Sequence, residues 1–573
     1  MSKTSCRITE IRVENFKSVK AGSLSFHSYD RGLYQSSILG LYGQNGSGKT
    51  TLIDALSLLK YALTGKPVPS FWGGLINLGA EEARFRFCFS LRNAYEKYRV
   101  YYSFSLGREE KEPGGNMNMP VLESKKSWES RQDQWRPVIL RESLSLSYQG
   151  LPEKEEASPP DWLEEGDPHS CEAFSPGRFP DELIRRFRKE KIIDTDTSSL
   201  FLPLAKYRLL IGPSKENLEN LRMEKILARK ESRSFLFSWP LLKAIERRAA
   251  SHAKELDSNL SIYWRALRSL VRFGNLSFFV LNSRQRDTLS LVQPLVRKED
   301  LAGDGAASKA AAGAPAEGRD LAVSAEASEG AKAIEGLEDS LLMISLPFDF
   351  SGMVPEDLLP GLDRALSSIN AVLPTLIPGM SLEYEKLGSQ RMMDGRLGTP
   401  IQLMARRDDL VIPLKYESQG NRKIISILQL LILVYNEPSV TVAIDELDSG
   451  IFEYLLGEIL KIIARHGYGQ LIFTSHNLRP LEILNPQFVA FSTTNPSNAY
   501  IRFRTPKDAK NLRDFYYRNI LLGGQGEELY RSTHNPEIAL ALRAAANHFS
   551  EHDPEAAPEG DGLERDSEDG HEA

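Results

Sequence analysis

The stretch Gly43-Gln44-Asn45-Gly46-Ser47-Gly48-Lys49-Thr50 carries the residue types best suited to chemistry. Its glycines let backbone N–H groups turn inward around an anion. Lys49 reaches the outer phosphates of a nucleotide, and the Thr50 hydroxyl is a ligand for Mg²⁺. The pattern Gly43-x4-Gly48-Lys49-Thr50 is that of a P-loop, and its surroundings agree. The apolar run Ile38–Tyr42 reads as a buried strand leading into it. The following Thr51–Tyr61 puts Leu52, Ala55, Leu56 and Leu59 on one face of a helix. A second constellation is Val440-Thr-Val-Ala-Ile-Asp445-Glu446, an apolar strand that delivers two carboxylates to its C-terminal edge, where open α/β sheets bind ligands. Asp445 is placed to hold the Mg²⁺ shell, and Glu446 to polarise an attacking water as general base.

Two further features frame this pair. Ser418-Gln419-Gly420 stands before an apolar helix, 27 residues ahead of Asp445, and a Ser and a Gly at a helix N-terminus make a second phosphate-binding end. His476, in Thr474-Ser475-His476-Asn477, closes a strand 31 residues after Asp445, where an imidazole can bond a γ-phosphate or the attacking water.

Taken in order, the P-loop, the Ser-x-Gly helix, Asp-Glu followed by Leu447-Asp448-Ser449-Gly450, and the His resemble the ATP-binding-cassette (ABC) ATPases. Within them the chain looks like the SMC/RecF/OLD branch, in particular the bacterial AAA-family ATP-binding proteins of abortive-infection and anti-phage loci. The opening Ile8-x2-Ile11-x-Val13-x-Asn15-Phe16-Lys17-Ser18 and the closing Asn511–Arg518 and Leu521–Tyr530 carry the same likeness. The resemblance implies an α/β fold: an ABC-type P-loop head with a mixed, largely parallel sheet, helices, an antiparallel β subdomain and a helical insertion. It implies ATP and Mg²⁺ as cofactors. Gly43, Asn45, Gly46, Gly48, Lys49, Thr50 and Thr51 would bind ATP, with Thr50 and Asp445 at the metal. Glu446 and His476 would be catalytic, Ser418 and Gly420 the signature residues, and Asp448 the D-loop residue. It also implies a head-to-head homodimer in which Ser418 and Gly420 of one copy cap the ATP held by Lys49 of the other. The chain departs from the pattern in its Ser-Gln-Gly-Asn signature. The position of the Q-loop glutamine is open, with Gln132 and Gln134 as candidates in unlike surroundings.

The elements that must position these residues read as follows. Residues 1–150 form an N-terminal lobe: strands with a turn at Ala21-Gly22, an antiparallel pair at 84–91 and 98–106, and a third strand at 138–148. Residues 151–180 are a Pro/Gly/acidic loop, 181–296 a mostly helical basic insertion, and 297–340 an Ala/Gly/acidic linker too poor in apolar residues to fold alone. Residues 341–549 form the C-terminal lobe, with helices at 421–435 and 451–465 alternating with strands at 439–444 and 470–474, the pattern of a parallel sheet. Residues 550–573 are a disordered acidic tail.

Charge is segregated. The tail 551–573 has ten acidic residues against one Arg, and 181–290 has 22 Lys/Arg against 13 Asp/Glu, so the net of −6 says little about partners. In the insertion, Arg265, Arg268 and Arg272 share a helix face, which reads either as a solvated face or as a surface for DNA, RNA or a protein partner. Three dispersed cysteines and the lack of a signal-like N-terminus or a 20-residue apolar run fit a cytoplasmic protein without a membrane span. The functional expectation is an ATP-hydrolysing switch that controls a nucleic-acid transaction or a nuclease or toxin effector, in phage defence or DNA maintenance. The alternatives are a self-contained nuclease with its site in the insertion, and the ATPase subunit of a transporter.

Overall fold

The computed structural model describes residues 5–26, 35–92, 97–110, 135–150, 191–196, 215–251, 258–282, 288–294, 341–349, 351–392, 395–503, 511–522, 526–531 and 535–550. Strands β1 (Ser5–Phe16) and β2 (Val19–Ser25) form a hairpin. β3 (Ser37–Tyr42) runs into the Gly-rich loop and helix α1 (Lys49–Thr64). β4 (Glu82–Arg92), β5 (Lys97–Glu110), β6 (Trp135–Gly150) and β7 (Lys191–Asp196) complete an antiparallel sheet of order β2-β1-β4-β5-β6-β7. Helices α2 (Lys215–Lys230), α3 (Trp239–Ser251) and α4 (Ser258–Arg272) precede β8 (Phe278–Leu281). β9 (Thr288–Pro294) and β10 (Leu341–Pro347) pair with each other. β11 (Gly352–Pro355), α5 (Leu359–Leu376), β12 (Met380–Lys386), β13 (Gln390–Arg391), β14 (Leu397–Arg407) and β15 (Leu410–Pro413) form a small antiparallel sheet capped by α5.

The remaining elements of the head follow: α6 (Gln419–Asn436), β16 (Thr441–Ile444), α7 (Glu453–His466), β17 (Gln470–Thr474), α8 (Arg479–Ile483), β18 (Val489–Ser492), β19 (Tyr500–Ile501) and α9 (Leu512–Leu522). The central sheet has the order β19-β18-β3-β17-β16-β8, parallel except for β19. The α/β head with an antiparallel β subdomain is thus the observed fold. Two units are distinguished, Met1–Leu529 and Tyr530–Ala573. The described part of the second is Tyr530, Arg531 and helix α10 (Asn535–Ser550).

α1 is buried almost all round, because it lies between the two large sheets. Ile53, Leu58 and Leu63 are covered along with the face expected from Leu52, Ala55, Leu56 and Leu59. Gln470 joins the sheets. Its side-chain amide accepts from Ile8 N at 3.0 Å and donates to Ile8 O at 2.8 Å, replacing a backbone ladder with one buried side chain.

Several expectations are corrected. The turn after β1 falls at Lys17-Ser18, not Ala21-Gly22. Gly22 lies inside β2, where a Cβ would come within 2.6 Å of the Tyr500 ring. Within the insertion 181–296, Lys191–Asp196 is a strand on the antiparallel sheet. Its helices α3 and α4 are separated by residues 252–257, which are outside the described set. The insertion also contributes to the core of the head. β8 extends the central sheet beside β16, and Leu221, Leu242, Leu267 and Phe273 share one core with α1. The loop 151–180, the linker 297–340, the tail 551–573, Gln132 and Gln134 lie outside the described residues.

Candidate functional site

β3 is buried along its whole length between β17 and β18, so the loop leaves the C-terminal edge of the parallel sheet. Gly48 caps α1 at φ 97°, and a Cβ there would lie 2.7 Å from Val19 Cγ2, so the position demands glycine twice over. Gly46 has φ 80° and open space where its Cβ would be. Tyr500 Oη donates to Gly48 O at 2.8 Å, and Ser47 Oγ donates to Gln44 O at 2.6 Å, which fixes the loop's curl. Ser492 Oγ, at the end of β18, sits 2.5 Å from Ser47 Oγ. Asn45 is exposed at the loop crest, and Thr51 is buried in the first turn of α1. Lys49 is 7% exposed and donates to Gly43 O at 2.7 Å and Gln44 O at 2.9 Å. Burial lowers its pKa to about 8, against the pull of Asp445, Asp448 and Glu446. An ammonium held by two weak carbonyl acceptors is ready to take phosphate oxygens instead.

The carboxylates stand at the edge of β16. Asp445 is buried. Its Oδ1 accepts from Thr474 Oγ1 at 2.6 Å and lies 3.5 Å from Thr50 Oγ1, too far for a firm hydrogen bond. Its Oδ2 is buried with no hydrogen-bond partner. A buried, partnerless carboxylate oxygen is costly unless a cation or water meets it. The hydroxyl–carboxylate pair is also the oxygen donor set that Mg²⁺ takes. The residues therefore fit a divalent cation. Glu446, half-buried, adopts φ 48°, a left-handed backbone rare outside glycine. Asp448 Oδ2 accepts from His476 N at 3.0 Å and Asn477 N at 2.9 Å, so this carboxylate fixes the main chain of the loop that carries His476. The His476 residue itself is exposed.

Ser418 is the N-cap of α6. Its Oγ accepts from Asn421 N at 3.2 Å, and its hydrogen bonds stay within residues 417–422. Gly420 abuts Gly450, and a Cβ on Gly420 would lie 2.3 Å from Gly450 O. The structure thus brings Lys49, Thr50, Asp445, Glu446, Asp448 and His476 into one neighbourhood. Gly420 approaches it through its contact with Gly450, and Ser418 is exposed. Sequence reading missed Thr474, Ser492 and Tyr500. For Thr474 a signal existed, since it immediately precedes Ser475-His476 on β17. Tyr500 meets the loop from 452 residues away and left no local trace. Among the described residues no further cluster of three His, Cys, Asp or Glu could hold a metal, and no helix is long and apolar enough to cross a membrane.

The parallel strand order, the Gly-rich loop between β3 and α1 and the carboxylates at the edge of β16 are those of an α/β P-loop fold. In sequence, residues 10–249 match the family model described as an AAA domain. The chain is also similar to the Smc head domain of Pyrococcus furiosus bound to the C-terminal domain of ScpA, at 11% identity over 87% of this chain and 96% of that one, with a TM-score of 0.31. For the SMC head domain from Thermotoga maritima the values are 12%, 87%, 100% and 0.28. For the recombination mediator protein RecF-ATPrS of the RecFOR pathway they are 12%, 87%, 98% and 0.32. A comparison with curated proteins found no match.

Proposed function

We propose that the chain is a cytoplasmic, Mg²⁺-dependent ATPase switch that closes head to head with a second copy when ATP is bound and reopens on hydrolysis. The observation that carries this is the split of the site. Lys49, Thr50, Asp445 and Glu446 converge, whereas Ser418 is exposed and its own hydrogen bonds stay within residues 417–422. Bound Mg²⁺-ATP supplies the reacting phosphoryl group and the charge that neutralises it. The chain's own groups do the rest. Lys49 trades the Gly43 and Gln44 carbonyls for phosphate oxygens, and Thr50 Oγ1 and Asp445 Oδ2 hold the cation. Glu446 accepts the proton of an attacking water, and His476 bonds the outer phosphate or that water. Ser418 and the N–H groups opening α6 are offered to the ATP of the partner copy.

We assign the switch to control of an effector, a nuclease or toxin, or to a nucleic-acid transaction in anti-phage defence or DNA maintenance. The surface that supports nucleic-acid contact is the exposed arginine set of the insertion. Arg229 is taken by Glu109, and Arg233 by Glu224 and Glu231, while Arg247, Arg265 and Arg272 are exposed. A gel assay for cleavage by the purified chain, with and without Mg²⁺-ATP, tests the switch against the self-contained nuclease. The switch predicts intact substrate in both lanes.

A further inference from the structure

Thr474 is the last residue of β17, buried to 1% exposure. Its hydroxyl has two partners at once. It donates to Asp445 Oδ1 at 2.6 Å and accepts from Glu446 N at 2.8 Å. The three backbone N–H groups that leave β16 are divided between neighbours. Asp445 N goes to Leu281 O at 2.9 Å on the β8 side, and Leu447 N goes to Thr474 O at 3.0 Å. Between them, Glu446 adopts φ 48°, and its N–H is met by the Thr474 hydroxyl in place of a ladder carbonyl. A non-glycine residue in this conformation costs about 1–3 kcal/mol and persists only where its surroundings over-determine it.

The same hydroxyl decides which face of Asp445 is free. With Oδ1 engaged by Thr474, the oxygen left without a partner is Oδ2. We infer that Thr474 is a positioning residue for hydrolysis, resting on the ATPase reading above. Its single hydroxyl clamps the cation-holding carboxylate in one rotamer and holds the backbone that aims the catalytic carboxylate of Glu446. It touches neither nucleotide nor water itself. Second-layer partners of this kind typically matter by about 10–100-fold in metal affinity or activity.

The test compares Thr474→Val, which keeps the shape and removes the hydroxyl, with Thr474→Ser, which restores it. Fluorescent-nucleotide binding is measured without Mg²⁺ and across a Mg²⁺ titration, and steady-state turnover is measured alongside. In Thr474→Val, metal-free nucleotide affinity should stay within about twofold, because the P-loop is untouched. The Mg²⁺ concentration giving half of the metal-dependent gain in affinity should rise about tenfold or more, and kcat should fall about 10–100-fold with little change in KM. Thr474→Ser should recover both to within about threefold of the parent. Unchanged Mg²⁺ dependence and kcat in a folded Thr474→Val, with the parent binding and hydrolysing ATP, overturns the inference and spares the ATPase reading. Failure of the parent itself to bind nucleotide sinks the reading on which the inference rests. If Thr474→Val is too unstable to purify, Thr474→Ser and Thr474→Cys replace it. Loss in Cys with retention in Ser supports the clamp, and equal activity in both contradicts it.

Discussion

The Lys49 ammonium gives a prediction with a magnitude. In the free protein it is buried, bonded only to the carbonyls of Gly43 and Gln44, and its pKa is lowered to about 8 from the usual 10.5. At pH 8 about half of the free chains therefore carry an uncharged Lys49. Phosphate oxygens favour the charged form, so nucleotide binding at pH 8 should take up about half a proton, and affinity should fall about tenfold per pH unit well above 8. Isothermal titration calorimetry between pH 7.5 and 9.5, in two buffers of unlike ionisation enthalpy, reads both quantities. The sign for folding is separate. The folded pKa lies below the unfolded one, so between about pH 8 and 10.5 the unfolded chain binds more protons, and the stability of the ligand-free protein should rise with pH through that window. Lys49→Met should remove that part of the rise. Affinity and binding enthalpy independent of pH and buffer would refute the reasoning, because they would mean the lysine is charged throughout.

Gly420→Ala should disturb the contact between α6 and the D-loop, since the new methyl would meet Gly450 O at 2.3 Å. Overpacking of this kind costs about 1–3 kcal/mol, readable as a lowered denaturation midpoint, and turnover should drop with it. Glu142 is buried in β6 and accepts from Tyr102 Oη at 2.7 Å, Ser234 Oγ at 2.6 Å and Phe235 N at 2.8 Å, holding the α2–α3 connection onto the antiparallel sheet. Glu142→Ala leaves those donors buried and unpaired, and urea titration should show a loss of about 3 kcal/mol or more. Burial raises the Glu142 pKa despite those hydrogen bonds, so the native state holds its proton longer than the unfolded chain. Its contribution to stability should be largest at acid pH and decline as pH rises past the usual carboxylate range, a trend that Glu142→Gln removes.

Much of the head was legible because its signals are local. A β-branched strand ending in Asp445-Glu446 and a Gly-rich turn between an apolar run and a helix carry their own geometry, and both stand where the sequence placed them. What was not legible comes from long-range pairing. Gly22 looked like a turn because glycine usually marks one, yet the Tyr500 ring claims the space beside it and the strand continues. Phe278–Leu281 fell within an expected helical insertion because four apolar residues fit either period, and pairing with β16 made them a strand. The second partner of Thr474 depends on the left-handed turn at Glu446, which no residue preference announces.

The split site is the central claim, and one measurement reaches it most directly: light scattering of Glu446→Gln with Mg²⁺-ATP, alone and combined with Ser418→Arg. The account predicts a dimer for Glu446→Gln that requires ATP, and a monomer that still binds ATP when Ser418→Arg is added. An ATP-dependent dimer that survives Ser418→Arg, or a Glu446→Gln chain that stays monomeric while saturated with ATP, would contradict it.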